Sequence, residues 1–337
     1  MKRGRFAGRR AAPPAATMGP MDRPTRLVPL HYVAVGGRGP EDVVTDPDGR
    51  VLTGVEDGRI LRLDGLGDPD TVRVRVLAET GGRPLGLELL PDGDLLVCDA
   101  ERGLLRVGLA DGVVRVLADA VEGEPLRFAS NVVALPDGTA YFTVASRRFP
   151  LHQWVGDIVE HSGTGRLLRL APGARAPEVV CEGLQFANGL AVSGDGTFLI
   201  VAETGAYRLT RYWLTGPRAG RAEFFAELPG MPDNMWRDGD LTWVALAGPR
   251  NPPLDLLHRT PSAVRRAAAR AAVHAPYRPV GTIAVMALDD DGRVVHHLAR
   301  QRSGFRMATS VCVTGRLLVL GSVWEPGVAV CTAPTAK

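Results

Sequence analysis

The fold is decided by the stretch Cys181 to Thr204, CEGLQFANGLAVSGDGTFLIVAET, and by its repetition along the chain. Asn188 leads into a short apolar run, an aspartate–glycine turn follows, and a second apolar run ends at Ala202. Aspartate–glycine between two apolar runs predicts a β-hairpin, because glycine accepts the positive φ that such turns require. The stretch therefore predicts two adjacent antiparallel strands.

Five further copies of this phrase are EDVVTDPDGRVLTG, LGLELLPDGDLLVCD, SNVVALPDGTAYFTV, DNMWRDGDLTWVAL and the more divergent TSVCVTGRLLVLGS. Their turn glycines, with that of the first phrase, are Gly49, Gly93, Gly138, Gly196, Gly239 and Gly315. The first intervals are roughly 45 residues, the period of a four-stranded propeller blade. Six units predict an all-β fold, a six-bladed β-propeller, which leaves only short and protected strand edges. A β-sandwich is the alternative, but the even spacing favours the propeller.

Two longer intervals predict insertions between strands, at residues 145–165 and at about 251–279. The second contains PSAVRRAAARAAVHA, whose alanine and arginine content and Pro-Ser start predict a short helix. We expect this helical insertion to form a lid over one mouth of the propeller. Residues 27–35 have no unit of their own, and we predict that they supply the outer strand of the last blade.

Residues 1–24 are basic and rich in alanine and proline, without the apolar segment of a secretory signal, and predict a disordered leader. Residues 25–337 are expected to form a single propeller domain. With 40 basic and 37 acidic residues the net charge is +3, and part of the excess lies in the leader. The folded part is close to neutral, which argues against a nucleic-acid surface. The sequence contains no run of about 18 apolar residues, so no membrane span is predicted. We expect a cytoplasmic location.

The four cysteines are scattered and lack any paired spacing. Three of them, Cys98, Cys181 and Cys312, lie within or beside apolar runs. We predict buried, reduced thiols rather than a disulfide framework or a zinc site.

Aligning the six phrases on their turn glycines shows which side chain stands at the head of each inner strand. These positions are Glu41, Leu85, Asn131, Asn188, Asp233 with Asn234, and Thr309 with Ser310. In a propeller the first strand of each blade lines the central channel, so equivalent positions converge on the axis. Most of the blades are therefore predicted to present oxygen-bearing side chains at one level of the channel.

This ring predicts a site for a hard divalent cation. Calcium takes six to eight oxygen ligands from carboxylates, amides and waters, and buried acidic side chains without a cation would be costly. Because the ring lacks histidine and cysteine, zinc and copper are not expected. The predicted ligands of Ca²⁺, or of another divalent cation, are Glu41, Asn131, Asn188, Asp233 and Asn234.

The phrases GPEDVV, FASNVVALPDGTAYFT, GLQFANGLAVSGDG, ETGAYRLTRYWLTGPRAG and LPGMPDNMWRDGD resemble the strictosidine-synthase-like proteins. That family belongs to a wider group of six-bladed propellers that includes the paraoxonases and the gluconolactonase/senescence-marker proteins. The resemblance covers about residues 28–330 and is most specific over residues 186–234. It implies that the catalytic calcium ligands of the paraoxonase type fall on the same five ring positions. It also implies that Asp42 matches a ligand of a second, structural calcium in the paraoxonases.

The chain departs from this group at two catalytic positions. Where strictosidine synthase has its catalytic glutamate, the strand register places Thr309, and where paraoxonases have a catalytic histidine, the phrase Arg83-Pro84-Leu85-Gly86 places Leu85. The seven histidines lie outside the ring, and His161 and His258 are expected to be surface or capping residues.

Metal-assisted chemistry then remains, with Asp233 as the candidate nucleophile or general base. We predict a hydrolase that depends on a divalent metal and acts on small lactones or esters. Candidate walls for its apolar pocket are Phe128, Phe186, Trp236 and Phe305.

Two alternatives are a condensing enzyme of the strictosidine-synthase type and a non-catalytic propeller that binds a small ligand or partner.

Overall fold

The computed structural model describes residues 4–5 and 23–334. Most of the predicted leader thus lies outside the described residues, and its predicted disorder stays a prediction. The strands are, in chain order, β1 Gly4–Arg5, β2 Thr25–Arg26, β3 Pro29–Ala34, β4 Val43–Thr45, β5 Val51–Gly54, β6 Arg59–Asp64, β7 Arg73–Glu79, β8 Pro84–Leu89, β9 Leu95–Asp99, β10 Gly103–Val107, β11 Val114–Ala118, β12 Ala120–Val121, β13 Glu124–Pro125, β14 Ala129–Ala134, β15 Ala140–Val144, β16 Gly165–Leu170, β17 Glu178–Leu184, β18 Ala187–Val192, β19 Phe198–Glu203, β20 Arg208–Trp213, β21 Ala222–Glu227, β22 Gly230–Asp238, β23 Leu241–Pro249, β24 Thr282–Leu288, β25 Val294–Gln301, β26 Ala308–Thr314, β27 Leu317–Ser322 and β28 Gly327–Thr332. The helices are α1 Trp154–Glu160, α2 Pro252–His258 and α3 Ser262–Ala272, with 3₁₀ turns at Leu151–Gln153 and Thr204–Ala206.

These strands form six antiparallel blades, which confirms the predicted six-bladed propeller. Blades 1 to 5 consist of β4–β7, β8–β11, β14–β17, β18–β21 and β22–β25, and blade 6 consists of β26, β27, β28 and β3. The strand β3 pairs with β28, with Val33 opposite Val328. The N-terminal strand therefore closes the ring as predicted. Two short strands extend the outer edges, β1 parallel to β17 and β2 parallel to β25.

The core lies between neighbouring blades, in six clusters that correspond to the six blade interfaces. Strand β19 shows how the sequence encodes this arrangement. Leu199 and Val201 pack toward blade 3, whereas Ile200 and Ala202 pack toward blade 5. Because successive side chains of a strand point to opposite faces, a strand buried on both faces is apolar throughout. This explains why the second strand of each phrase shows no alternation.

The four cysteines are all buried and reduced, as predicted. Cys98 and Cys312 are fully covered by neighbouring blades, and burial raises the pKa of each thiol well above its ordinary value. A thiol held protonated is a poor nucleophile and metal ligand.

Both insertions contribute helices above one mouth of the channel. The insertion at residues 251–279 contains α2 and α3, as predicted, and the side chain of Asn251 caps α2 by accepting a hydrogen bond from the Leu254 N–H at 3.1 Å. The insertion at residues 145–165 contains α1, which packs against α3. Among the described residues, no helix is long and apolar enough to cross a lipid bilayer.

Candidate functional site

In five of the six blades the inner strand is interrupted by a β-bulge at the same place, just inside the covered mouth of the channel. In blade 3, Ala129 pairs with Val144 but the next pair is Val132 with Phe142, so two residues stand opposite one. The same irregularity follows Pro84, Ala187, Pro232 and Ala308 in blades 2, 4, 5 and 6. A bulge removes the strict alternation of side chains, so two consecutive residues of each of these blades reach the channel. In blade 1 the strand begins only at Val43, directly after Glu41 and Asp42.

The bulges arrange the channel residues in two layers. The upper layer faces one cavity and consists of Glu41, Leu85, Ser130, Asn188, Asp233 and Thr309. The residues that follow them form the lower layer, Asp42, Gly86, Asn131, Gly189, Asn234 and Ser310. The predicted ring is thus divided, with Glu41, Asn188 and Asp233 in the upper layer and Asn131 and Asn234 directly beneath.

Two channel residues were missed as ring members, Ser130 and Asp42. Ser130 stands eight residues before Gly138, the same spacing as Glu41 before its turn glycine. Applied strictly, that spacing identifies Ser130 as the upper-layer residue of blade 3. Asp42 carried a signal only through the family resemblance.

Hydrogen bonds join the predicted ligands into two groups. In the upper layer, Asn188 Nδ2 donates to Asp233 Oδ1 at 2.5 Å, and Ser130 Oγ donates to Asn188 Oδ1 at 2.9 Å. Asn234 Nδ2 donates upward to Glu41 Oε1 at 2.9 Å. Asn131 Nδ2 donates to Asn234 Oδ1 at 3.1 Å. The structure therefore brings the five predicted residues together at the channel in two hydrogen-bonded groups, which meet at the consecutive residues Asp233 and Asn234.

Asp42 belongs to the lower layer and is hydrogen-bonded to the group that contains Asn131. Its Oδ2 accepts from the Leu87 N–H at 2.9 Å and from Asn131 Nδ2 at 3.4 Å, and its Oδ1 accepts from the Val43 N–H at 2.9 Å. These bonds orient the carboxylate but leave its charge inside the channel.

Glycines in the lower layer create the space for the two asparagines. A Cβ at Gly86 would lie 2.4 Å from Asn131 Cα, and a Cβ at Gly189 would lie 2.3 Å from the Asp233 carbonyl oxygen. Real Cβ atoms do not approach backbone atoms this closely. Blades 2 and 4 therefore supply no lower-layer side chain so that their neighbours can reach the axis.

Burial in the channel disfavours the charged forms of its three carboxyl groups. Burial raises the pKa of Glu41 to about 7, against the lowering effects of Arg83 and of the Asn234 hydrogen bond. Burial, followed by repulsion from Glu41 and Asp42, raises the pKa of Asp233 well above its ordinary value. Burial and the charge of Glu41 do the same to the pKa of Asp42. Glu41 Oε2 is buried without a hydrogen-bond partner.

The oxygen-bearing side chains of the channel are of the chemical type that binds a hard cation. Within residues 4–5 and 23–334, no cluster of three or more His, Cys, Asp or Glu side chains has the geometry of a metal site. A cation at this place would therefore need amide oxygens beside the carboxylates of Glu41 and Asp233. That mixed oxygen set suits calcium, and the unpartnered Glu41 oxygen has the chemistry of a ligand. Asn188 and Asn234 present their oxygens to a cation only if their nitrogens turn away from the carboxylates.

The cavity above the upper layer is small, about 60 Å³, and mostly apolar. Phe128 and Phe186 form its walls as predicted, with ring centroids 5.4 Å apart in an edge-to-face arrangement. Both residues have left-handed backbones, with φ of 61° and 59°, and each directly precedes an inner strand. Trp154 of α1 and Tyr277 of the lid insertion cover the cavity.

The other two predicted walls are wrong. Trp236 lies at the opposite mouth of the channel. The strand β22 runs from the covered mouth toward the opposite mouth, and Trp236 lies in the part of the strand beyond its bulge. Phe305 is buried between blades 5 and 6 and stacks on Tyr32, with ring centroids 5.8 Å apart.

The histidines of the insertions have structural positions, as expected. His161 ends α1 in a left-handed conformation with φ of 55°, and its ring lies 4.1 Å from that of His258. His258 Nε2 lies 2.8 Å from the Ile158 carbonyl oxygen and joins α2 to α1. Burial, with the charges of His258 and Arg265, lowers the pKa of His161 to about 3. Neither residue lines the cavity above the ring.

The opposite mouth of the channel opens into a cavity of about 720 Å³ that contains Glu88. Burial raises the pKa of Glu88 to about 7, although the Ala134 N–H donates to its Oε1 at 3.3 Å. A raised carboxyl pKa means that the folded state holds the proton more tightly than the unfolded chain. Stability is then lost as the pH rises from about 4.5 to about 7.

We therefore expect Glu88→Gln to be more stable than the wild type at pH 8, with the gap shrinking by roughly 2 kcal/mol at pH 5. Glutamine keeps the oxygen that accepts from Ala134 and removes only the charge. Urea unfolding at both pH values measures the gap. An equal gap at pH 5 and pH 8 would show that Glu88 carries no burial penalty.

Comparisons with known proteins identify the family of the chain. A sequence profile described as strictosidine synthase matches residues 131–217, and one described as the N-terminal part of strictosidine-synthase-like proteins matches residues 19–63. Protein STRICTOSIDINE SYNTHASE-LIKE 6 of Arabidopsis thaliana is 31% identical over 316 residues, which are 92% of this chain and 83% of the relative. The chain belongs to the strictosidine-synthase-like family.

Other family members match a shorter region. Protein STRICTOSIDINE SYNTHASE-LIKE 10 of Arabidopsis thaliana is 38% identical over 229 residues, which are 63% of this chain and 61% of the relative. The match covers 60% of the length of Protein STRICTOSIDINE SYNTHASE-LIKE 3. The chain therefore spans about three fifths of the length of these two strictosidine-synthase-like relatives.

Solved structures share the fold at low identity. A gluconolactonase from Xanthomonas campestris superposes with a TM-score of 0.64 at 18% identity, covering 96% of this chain and 99% of that protein. Regucalcin from Agrobacterium tumefaciens, a calcium-binding protein, superposes with a TM-score of 0.61 at 16% identity, covering 93% and 97%. At these identities the likeness shows the propeller fold of this strictosidine-synthase-like chain, and no more.

The two departures from the catalytic pattern have clear structural roles. Leu85 is buried and packs with Phe128 and Phe186 at the cavity wall. Thr309 Oγ1 donates to the Glu41 backbone oxygen at 2.6 Å, so it supports a ring residue instead of supplying a carboxylate. In this strictosidine-synthase-like chain, Asp233 and Glu41 are the only acidic side chains among the described residues that line the cavity.

Proposed function

We propose that the chain is a hydrolase of small lactones or esters that depends on a divalent cation, calcium being the best match to its oxygen ligands. The observation that supports this proposal is the position of the ring, whose carboxylates face an apolar cavity. Ligands at the floor of a pocket can act on a substrate, whereas ligands sealed inside a blade can only stabilise the fold.

In this proposal Glu41, Asn131, Asn188, Asp233 and Asn234 hold the cation. A bound cation of this kind polarises a carbonyl oxygen and lowers the pKa of bound water. Thr309 fixes the backbone of Glu41 by donating to its carbonyl oxygen.

Asp233 is the proposed general base or nucleophile, since it is an acidic group that both lines the cavity and lies in the ring. The apolar walls exclude bulk water from the reacting group, which strengthens electrostatic interactions there. They also favour an alkyl or aryl substrate body over a polyol, because a polyol would lose hydrogen bonds to water without replacement.

A non-catalytic role as a ligand-binding propeller is the second candidate. The specific observation in its favour is Leu85, an apolar residue at the position where the resemblance places a catalytic histidine. In that case the cation would act only as a structural link between the blades. The cytoplasmic location stays a prediction from the sequence, and scarce free calcium there would require tight binding.

Removal of the metal distinguishes these functions. We expect a chelator to abolish hydrolysis of aryl esters and lactones while the melting temperature changes only slightly, and added Ca²⁺ to restore the activity. Melting curves and a panel of substrates, measured on the same chelated samples, provide both readouts. A large loss of melting temperature in a protein that never hydrolyses any of them would favour the non-catalytic role.

A further inference from the structure

A cavity of about 650 Å³ lies outside the channel, where the helices of the two insertions meet. The end of α1, the end of α2 and the start of α3 surround it, together with the loop that connects blades 3 and 4. Its lining residues are His161, Gln185, His258, Arg259, Thr260, Pro261, Ser262 and Arg265. The described lining thus contains two guanidinium groups and neither aspartate nor glutamate.

Direct contacts hold the side chains of this cavity in place. Arg265 Nη1 donates to the His258 backbone oxygen at 2.9 Å, and the ring of His258 lies 4.1 Å from that of His161. Gln185 Oε1 accepts from the Gly163 N–H at 3.0 Å, so the Nε2 group of Gln185 is left to donate elsewhere. The cluster therefore joins all three helices to the loop between blades 3 and 4.

Hydrogen-bond acceptors are scarce in this cluster. Arg265 Nε and His161 Nδ1 are both buried without a hydrogen-bond partner among the described residues. Two nearby acids are engaged elsewhere, since Glu203 pairs with Arg208 at 2.8 Å and Asp255 bonds a tyrosine side chain. Buried polar atoms normally have partners. An anionic ligand from outside the chain would supply the missing acceptors.

We propose that this cavity binds a phosphate group, either as the free ion or as the head group of a phosphate ester. A phosphate dianion matches the two positive charges of Arg259 and Arg265, and its oxygens accept several hydrogen bonds at once. The Nε2 group of Gln185 adds a neutral donor. The volume lies in the range of small-molecule sites, so it has room for the body of an ester. The site is separate from the proposed cation site and does not depend on the proposed hydrolysis.

The test is calorimetric titration of the metal-stripped full chain with inorganic phosphate and, separately, with glycerol phosphate. Removal of the metal prevents phosphate from binding through a cation in the channel. Arg259→Gln and Arg265→Gln each remove one charge, and Arg259 is exposed, so its replacement should leave the fold intact. Arg266→Gln is the matched control, because Arg266 is an exposed residue of α3 that does not line the cavity. Circular dichroism and melting curves establish that each variant is folded.

We expect one phosphate site per chain and a loss of affinity of about tenfold or more in both cavity variants, since each loses charge-assisted hydrogen bonds. Arg266→Gln should bind as the wild type does. Tighter binding of glycerol phosphate would identify an ester as the ligand, and tighter binding of inorganic phosphate would identify the free ion.

A wild-type chain that binds neither compound would overturn the proposal. Equal weakening by Arg259→Gln and Arg266→Gln would also overturn it, because surface charge alone would then explain the binding. Neither result bears on the proposed hydrolase, which is tested by hydrolysis after removal of the metal.

Discussion

Replacement of Asp233 by asparagine is expected to lower the rate of hydrolysis by roughly 10²–10³-fold. The change keeps the shape of the side chain but removes a charge from the ring and a group that can accept the proton of an attacking water. The amide oxygen of the new asparagine can still accept the hydrogen bond from Asn188 Nδ2, so the loss is assigned to the charge rather than to this contact. Steady-state kinetics at saturating Ca²⁺ measure the loss.

The matched control is Asp195→Asn. Asp195 lies in the exposed hairpin turn of blade 4 and accepts hydrogen bonds from Thr197, far from the cavity. This variant should retain wild-type activity. If Asp233→Asn binds Ca²⁺ and hydrolyses substrate as the wild type does, then Asp233 is neither a ligand nor the base.

Replacement of Gly189 by alanine is expected to lower the free energy of unfolding by about 2–4 kcal/mol and to weaken the cation site. The added Cβ would lie 2.3 Å from the Asp233 carbonyl oxygen and 2.8 Å from Asn234 Cα. Both are backbone atoms of blade 5, so blades 4 and 5 must separate where the ligands meet. Urea unfolding and Ca²⁺ titration measure the two effects.

Gly248→Ala provides the comparison for this substitution. Gly248 lies in the strand next to the inner strand of blade 5, and the nearest atom to its added Cβ would be Met231 Sδ at 3.9 Å, an ordinary contact. It should unfold at nearly the wild-type urea concentration. Equal unfolding midpoints for the Gly189 and Gly248 variants would mean that the lower layer is not closely packed.

The fold followed from the sequence because its signals are local and repeated. Each aspartate–glycine turn fixes one hairpin, and the doubly apolar second strands require neighbours on both faces. The closure of the ring by β3 followed from the one unit that lacked an outer strand. Helix α1 was not predicted, because its seven residues carry too short a pattern and are held by packing against α3.

The site followed from the sequence only in part. Register alone identified five residues that the structure brings into contact, but it placed them in one ring. The division into two layers depends on the bulges, which are irregularities of pairing that an alignment of turn glycines does not contain. For the same reason Asn131 was aligned with Asn188, whereas Ser130 is the residue of blade 3 that lies in the same layer as Asn188.

The position of Arg83 beside the channel could not be predicted for a different physical reason. Its sequence neighbours suggest only a turn before a strand, and its contact with Gly39 joins residues 44 positions apart. The misplaced Trp236 and Phe305 show the same limit. An aromatic residue next to a strand packs into the core or lines the pocket, and the choice depends on the length of the strand and the neighbouring blade.

The most direct test of the cation site is calorimetric titration of the metal-stripped chain with Ca²⁺. We predict one bound ion per chain, with Asn188→Ala and Asp233→Asn each weakening the affinity by at least about tenfold, since each removes a ligand or a charge from the site. Absence of binding to the wild type, or equal binding to both variants, would contradict the assignment of Glu41, Asn131, Asn188, Asp233 and Asn234 as ligands.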